Sequence, residues 1–377
     1  MLEKMTSPVA CSLIYLCKCA VNRDVPDREV LKSTDLDELY GLASRHMLAA
    51  ITGIALQSAG IETEKFKNAI SASFWKTMIL NEERASVCDK LNEAGIWYLP
   101  LKGAIIKDWY PEFGMRESAD CDILFDKRYE DRVRDIMLDL GYTVERYGGG
   151  HHDVYFKQPV TNMQMHVDLF GNGYADNLNS YFANVGDRLI TKSGYEMAFQ
   201  PEDFYIYMIS HEWEHFQKSG TGLRSVLDTY VFLQHYDETL NWDYISEEIN
   251  SIGIRDFEAR NRVLAQRLFG PEDLTDRDLD LLEYLVSSGV HGTYSNRVHN
   301  DVQKLGGGFF GTVRYLISRI FMPSDMVLRK YGFFARHRIL LPLLPIYRLV
   351  RSFARGNIQT ELRVLKDKKK KNGRQGT

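Results

Sequence analysis

The segment Ser118-Ala119-Asp120-Cys121-Asp122-Ile123-Leu124-Phe125 sets two acids one residue apart at the head of an apolar run. Ala119 to Phe125 reads as a buried strand, and on a strand residues i and i+2 share a face. Asp120 and Asp122 therefore face one side, while Cys121, Ile123 and Phe125 face the other. Two like charges side by side repel. A chain keeps such a pair more readily when a cation neutralises it, and Mg²⁺ suits because it takes carboxylate oxygens together with water and phosphate.

A third acid on a neighbouring strand would complete a metal site. In Gln164-Met165-His166-Val167-Asp168-Leu169, the apolar Met163, Met165, Val167 and Leu169 alternate, so Gln164, His166 and Asp168 share the opposite face. Asp168 is the expected third carboxylate, because three acids on adjacent strands can hold two metals for in-line displacement at phosphorus. An isolated Asp-x-Asp carries less, since many such pairs are loop or solvated-edge acids.

The surroundings give these strands a context. Residues 1–93 read as helical, with apolar positions at Leu39, Leu42 and Ala43 and again at Ile70, Phe74 and Met78, and turn signals at Pro26 and Gly60. Between Gly95 and Gly103, Ile96 to Leu101 reads as a strand, followed by a helix over Ala104 to Trp109. A helix over Tyr129 to Leu140 stops at Gly141, and Tyr142–Tyr147, Val154–Lys157 and Met163–Phe170 read as three further strands. After Gly173 the chain turns helical again, with Pro201-Glu202-Asp203 as a helix start. The expected organisation is a helical region over 1–93, a mixed α+β core over 94–200, a helical domain over 201–310 and a basic tail over 311–377.

The stretch Leu101-Lys102-Gly103, Tyr110-Pro111, Gly114-Met115-Arg116 and Asp120-Cys121-Asp122-Ile123-Leu124 resembles a family of uncharacterised nucleotidyltransferases in the DNA-polymerase-β superfamily. That family carries Lys-Gly after the first core strand, Tyr-Pro, Gly-x-Arg and an Asp-x-Asp strand, with its third acid in a later Glu-Leu-His-like pattern. Here Val167-Asp168-Leu169-Phe170 is read in that place, with Asp for Glu and Phe170 for the His. The resemblance continues through Pro201-Glu202-Asp203, His211 and His215, Leu223-Arg224, Leu227-Asp228, Phe321-Met322-Pro323-Ser324 and Pro345-Ile346-Tyr347-Arg348, over roughly residues 90–355. It implies a polymerase-β-like core of mixed sheet and helices flanked by helical regions. It further implies Mg²⁺ or Mn²⁺ on Asp120, Asp122 and Asp168, and an NTP substrate, ATP among the candidates. An unknown acceptor hydroxyl would attack the α-phosphate and release pyrophosphate. The superfamily's Gly-Ser or Gly-Gly is replaced by Lys102-Gly103-Ala104. Gly103 still allows close approach to phosphate. Lys102, Arg116 and Ser118 are the further nucleotide-binding candidates, unless Lys102 and Arg116 pair with nearby acids. His166, His211 and His215 are candidates for lining the pocket. A non-catalytic member that binds a partner is the alternative.

His211-Glu212-Trp213-Glu214-His215 also matches His-Glu-x-x-His, in which two His share a helix face to hold Zn²⁺ and the Glu serves as base. No recognised third ligand follows, which sets a zinc metalloprotease below the transferase reading. His151-His152-Asp153 invites a metal reading too, but adjacent His on a strand point to opposite faces.

Charge is uneven. From 311 onward 16 Lys or Arg stand against Asp325, Glu361 and Asp367, a net of +13, so with the chain at −4 residues 1–310 carry −17. The tail could contact an anionic surface such as a membrane, nucleic acid or an acidic protein. Five unevenly spaced cysteines read as reduced thiols, and no run of 18 apolar residues occurs. A cytoplasmic protein follows, with peripheral membrane contact through the tail as a further expectation.

Overall fold

The computed structural model describes residues 7–171, 176–290, 292–320 and 332–347. The chain forms two compact units: Met1–Phe216 with Thr221–His291, and Gln217–Gly220 with Gly292–Thr377.

The first unit opens with α1 (Pro8–Asn22), α2 (Arg28–Leu31), α3 (Leu36–Arg45), α4 (Ala49–Ser58) and the 30-residue α5 (Glu64–Glu93). The starts are chemically explicit. Ser7 caps α1 by accepting from Ala10 N–H, with Pro8 in the first turn, and Thr63 caps α5 by accepting from Phe66 N–H. After α5, Gly95 adopts φ +68, a left-handed turn that glycine takes without strain. The buried stripe of α5 runs through Ser73, Thr77, Leu80, Val87 and Leu91, whereas Phe74 is exposed and packs edge-on against Phe113.

The chain then enters β1 (Tyr98–Pro100), α6 (Lys102–Ile106), β2 (Cys121–Phe125), α7 (Glu130–Asp139), β3 (Thr143–Arg146), β4 (His152–Lys157) and β5 (Thr161–His166). Beyond these come α8 (Asp176–Tyr181), β6 (Leu189–Ser193) and β7 (Glu196–Phe199). The layer of α9 (Pro201–Lys218), α10 (Leu223–Tyr236), α11 (Trp242–Ile252), α12 (Arg255–Phe269) and α13 (Asp276–Ser288) follows. The strands form one mixed sheet in the order β3-β4-β5-β2-β1-β7-β6. β2 pairs antiparallel with β1 and parallel with β5.

Alternation on β2 divides the core in two. Cys121, Ile123 and Phe125 pack with Met163, Met165 and Tyr155 against Leu80, Val87 and Leu91 of α5 and Val133, Ile136 and Met137 of α7. Phe125 and Tyr155 are fully enclosed there, each worth roughly 2–3 kcal/mol of burial. Leu124 turns the other way, into a core shared by β1, α1, α3, α4 and the α9–α13 layer. The sheet thus lies between two helical layers, and the Asp122 side faces the second.

Two expectations change. The stretch after Gly173 is not wholly helical: β6 and β7 form a hairpin whose second strand pairs with β1 at Tyr98↔Glu196. β6 is largely exposed and lacks an apolar alternation, so its place is set by the ladder to β7, which itself adds to the edge of β1. β5 ends at His166 rather than continuing to Phe170.

In the second unit, α14 (Tyr294–Lys304) and α15 (Gly308–Ile320) enclose Val298, Val302 and Tyr315. Phe334 of α16 (Gly332–Arg336) packs with Leu344 beside a 3-10 segment, Arg338–Leu343, that contains Pro342. Phe321–Ser324, Arg348, Arg351 and the Lys368–Lys371 run lie outside the described residues. Among the described residues no helix is long and apolar enough to cross a membrane, and all five cysteines are free.

Candidate active site

The site is built where β1 ends. Pro100 stands opposite Ile123, Leu101 N–H still donates to Asp122 O at 2.9 Å, and the chain turns at once into α6. This brings Lys102 and Gly103 to the Asp120 end of β2. A Cβ on Gly103 would come 3.2 Å from Arg116 Nη1, so the glycine leaves room for the guanidinium. A cleft beside it is lined by Arg84, Gly103, Ala104, Lys107, Ser118 and Asp120.

Parallel pairing with β5 sets Asp122 opposite Gln164 and Leu124 opposite His166. Gln164 Nε2 donates to Asp120 Oδ2 at 2.8 Å, and His166 Nε2 lies 3.3 Å from Asp122 Oδ1. Asp120 and Asp122 thus share one side with Gln164 and His166. Burial, and next the Asp122 charge, push the Asp120 carboxyl up to about 6.

Asp168 is elsewhere. It follows the end of β5, its side chain is 57% exposed, and its carboxylate lies 3.4 Å from Lys127 Nζ. Among the described residues Asp168 does not join Asp120 and Asp122 in a group of metal-capable side chains. The residues that arrive beside the pair are Gln164-Met165-His166. These fit the Glu-Leu-His pattern position by position, with Gln for Glu and the His retained. The assignment of that pattern to Val167–Phe170 is therefore corrected. Phe170 belongs to the apolar core.

The cationic groups are largely engaged. Arg116 grips Asp228 of α10 through Nε and Nη2, both at 2.8 Å, and its Nη1 donates to Ser118 Oγ at 3.3 Å. Tyr110 OH adds a third bond to the same carboxylate at 2.8 Å. Burial works to raise Asp228, but the guanidinium outweighs it and holds the carboxyl below its ordinary range. Arg116 is a strut between the loop and α10 rather than an open phosphate fork. Lys102 Nζ lies 3.4 Å from Glu212 Oε1. Arg224 donates to Glu117 O at 3.0 Å, and its charge acts on Asp120. Arg224, Asp228 and Gln164 were not singled out as site residues. Their signal was present in Leu223-Arg224 and Leu227-Asp228, four residues apart on one face of a helix.

On α9 the His211 and His215 rings lie 4.6 Å apart. His211 is held well below its ordinary pKa by burial and then by His215 and Lys102, so it stays neutral. Glu212, 1% exposed, turns into the helical layer. It accepts from Asn261 Nδ2 at 3.0 Å and Thr229 Oγ1 at 3.4 Å, and burial pushes it up to about 7. A metalloprotease base must face the metal's water, so the zinc-protease reading loses its base. Among the described residues, the cluster of three metal-capable side chains is instead His151, His152 and His166. β4 begins at His152, so His151 precedes the strand and escapes the alternation that would separate the two rings.

With this arrangement in place, the comparison with known proteins is decisive. The sequence model of the uncharacterised nucleotidyltransferase family matches residues 32–270. This chain belongs to that family. The match runs from just after α2 to just past α12 and, apart from Gln217–Gly220, lies in the first unit. It thus takes in helices before residue 90 and stops well short of 355. No curated protein and no solved structure matches the chain. Family membership gives this nucleotidyltransferase its general role, and the mixed sheet between helical layers accords with it.

Proposed function

We propose that this nucleotidyltransferase moves a nucleoside monophosphate from an NTP to an acceptor hydroxyl, with a divalent ion, Mg²⁺ or Mn²⁺, held by Asp120 and Asp122. The observation that carries this reading is the crowded carboxylate pair. Two acids share one partly buried side of β2, and burial, then the Asp122 charge, push Asp120 up to about 6 although the Arg224 and Arg116 charges work the other way. A donor set of carboxylates suits a hard cation. Asp120 and Asp122 would hold the ion, which would supply positive charge against the carboxylates and a triphosphate.

The chain's own residues supply the rest. Gly103 permits backbone approach at the start of α6, where N–H groups favour an anion only in concert with side chains. Lys102, Arg84 and Lys107 lie around the same turn as positive charges for a triphosphate. Arg116 fixes the loop through Asp228, so that Ser118 and Asp120 are held in place.

A second reading has its own support. Gln164, which cannot accept a proton as a base, stands where the family pattern has an acid. A nucleotide-binding member without turnover fits that substitution. The two readings separate in one experiment: each of the four NTPs, labelled at the α-phosphate, is incubated with Mg²⁺ or Mn²⁺ and cell extract. Label transfer and pyrophosphate release that vanish in Asp120→Asn support the transferase. Metal-dependent binding without transfer supports the binding module. No nucleotide binding with either metal overturns both.

A further inference from the structure

We propose that His151, His152 and His166 form a second metal site, for a borderline cation such as Zn²⁺ or Co²⁺, joined to the acidic pair through Asp122. Three imidazole nitrogens, one from each ring, lie within 4.8 Å of one another. The backbone brings them together. His152 and His166 are register partners on antiparallel β4 and β5, with ring centroids 4.8 Å apart. His151 O accepts from the N–H groups of both Val167 and Asp168, which pins its backbone beside the end of β5. Its ring closes on His152, where His152 Nδ1 and His151 Nε2 stand 3.0 Å apart.

The second observation comes from His166. Only 8% of its surface is exposed, and its Nδ1 is buried without a hydrogen-bond partner. Its Nε2 meets Asp122 Oδ1 at 3.3 Å. A carboxylate that accepts from one ring nitrogen fixes the tautomer and leaves the other nitrogen as a lone-pair donor, the usual arrangement behind a metal-bound histidine. An unpaired buried nitrogen otherwise costs about 1–3 kcal/mol. Gly171 completes the cradle: a Cβ there would come 2.7 Å from His151 Nδ1.

The donor set selects the metal. Three imidazoles suit Zn²⁺, Co²⁺ or Ni²⁺ rather than Mg²⁺. A tetrahedral ion with bonds of about 2.1 Å spaces its nitrogens about 3.4 Å apart, which small side-chain rotations reach from the observed spacing. Arg146, which contacts His152 Nε2, is exposed, and its guanidinium would have to turn outward to admit the ion. His211 adds no cationic charge, being neutral. With three protein ligands the fourth position stays open to water or to a ligand oxygen. Asp122 would then link two sites, with one oxygen toward His166 and the other toward the ion on the acidic pair.

The test is metal binding by the full chain, read independently of turnover. Chelator-treated protein is titrated with Co²⁺ and followed in the visible. One Co²⁺ per chain with an intense tetrahedral d–d band is expected. His151→Ala and His152→Ala should each weaken binding by about ten-fold or more. Asp120→Asn, which removes a carboxylate outside the triad, should retain the band. Thermal melts confirm that each variant folds. Because His151 and His152 lie at the partly exposed rim, their loss spares the core. Absence of stoichiometric Co²⁺ overturns the proposal, as does a band that survives both His variants or one lost only in Asp120→Asn. NTP binding with Mg²⁺ is measured on the same samples, so failure of this site and failure of the transferase reading give different results.

Discussion

The side-chain amide of Gln164 donates to the carboxylate of Asp120 across 2.8 Å, from one parallel strand to the next. An amide at that position balances only part of the charge of the acidic pair. Gln164→Glu would place a third carboxylate there. Mn²⁺ affinity is expected to rise by about ten-fold, read by calorimetry or electron paramagnetic resonance, because charge count governs affinity for hard cations. Unchanged affinity would show that position 164 lies outside the ion's reach.

Asp120 gives a pH signature in metal-free protein. Its folded carboxyl is raised to about 6, against an ordinary value of 3.8. Between about pH 4 and 6 the folded state keeps a proton that the unfolded chain has released, so this group's contribution to stability falls as pH rises through that window. Asp120→Asn should remove this fall and raise stability at pH 7.5 by about 1 kcal/mol or more. Added Mg²⁺ should stabilise wild type and leave the variant unmoved. Denaturant melts at three pH values check both statements.

Arg116 and Asp228 form a two-bond ion pair, with 4% and 1% of their side chains exposed. Asp228→Ala leaves the guanidinium enclosed without its partner and should cost about 3–5 kcal/mol in a urea melt. Arg116→Lys should also destabilise, since an ammonium cannot reproduce the fork. A loss below about 1 kcal/mol in both would mean the pair is not the strut described.

His46 ties α3 to two later segments. Leu223 N–H donates to its Nδ1 at 3.1 Å, and its Nε2 reaches Val286 O at 3.1 Å. Burial lowers its pKa to about 4. The unfolded histidine, near 6.5, takes up a proton first, so stability falls as pH drops from about 6.5 to 4 and levels below. The effect is about 3 kcal/mol at most. His46→Gln, compared with wild type across pH 4 to 7, should lose that share of the slope. Identical slopes would contradict the buried neutral ring.

The site was readable where chemistry is local. Pro201-Glu202-Asp203 does open α9, Gly141 does close α7, and the strand around Asp122 follows from apolar residues bounded by polar ones. It was unreadable where partners come from afar. Nothing near Arg116 in sequence announces Asp228, 112 residues away, and nothing near Lys102 announces Glu212. The β6–β7 hairpin was missed because an exposed edge strand needs no apolar pattern. Strand alternation separates His151 from His152, yet His151 precedes β4, so only the fold brings the two rings together with His166.

By itself the sequence determined that Asp120 and Asp122 share a side, and its alternation offered Gln164, His166 and Asp168 alike as one face of a neighbouring strand, although β5 stops at His166. Only the tertiary structure decided which of those three meets the acids. The reason is the period of two. Sliding β5 by two or four residues keeps every side chain on its face, so alternation cannot tell position 164 from 168. The ladder of hydrogen bonds to β2, with Asp122 opposite Gln164, makes that choice.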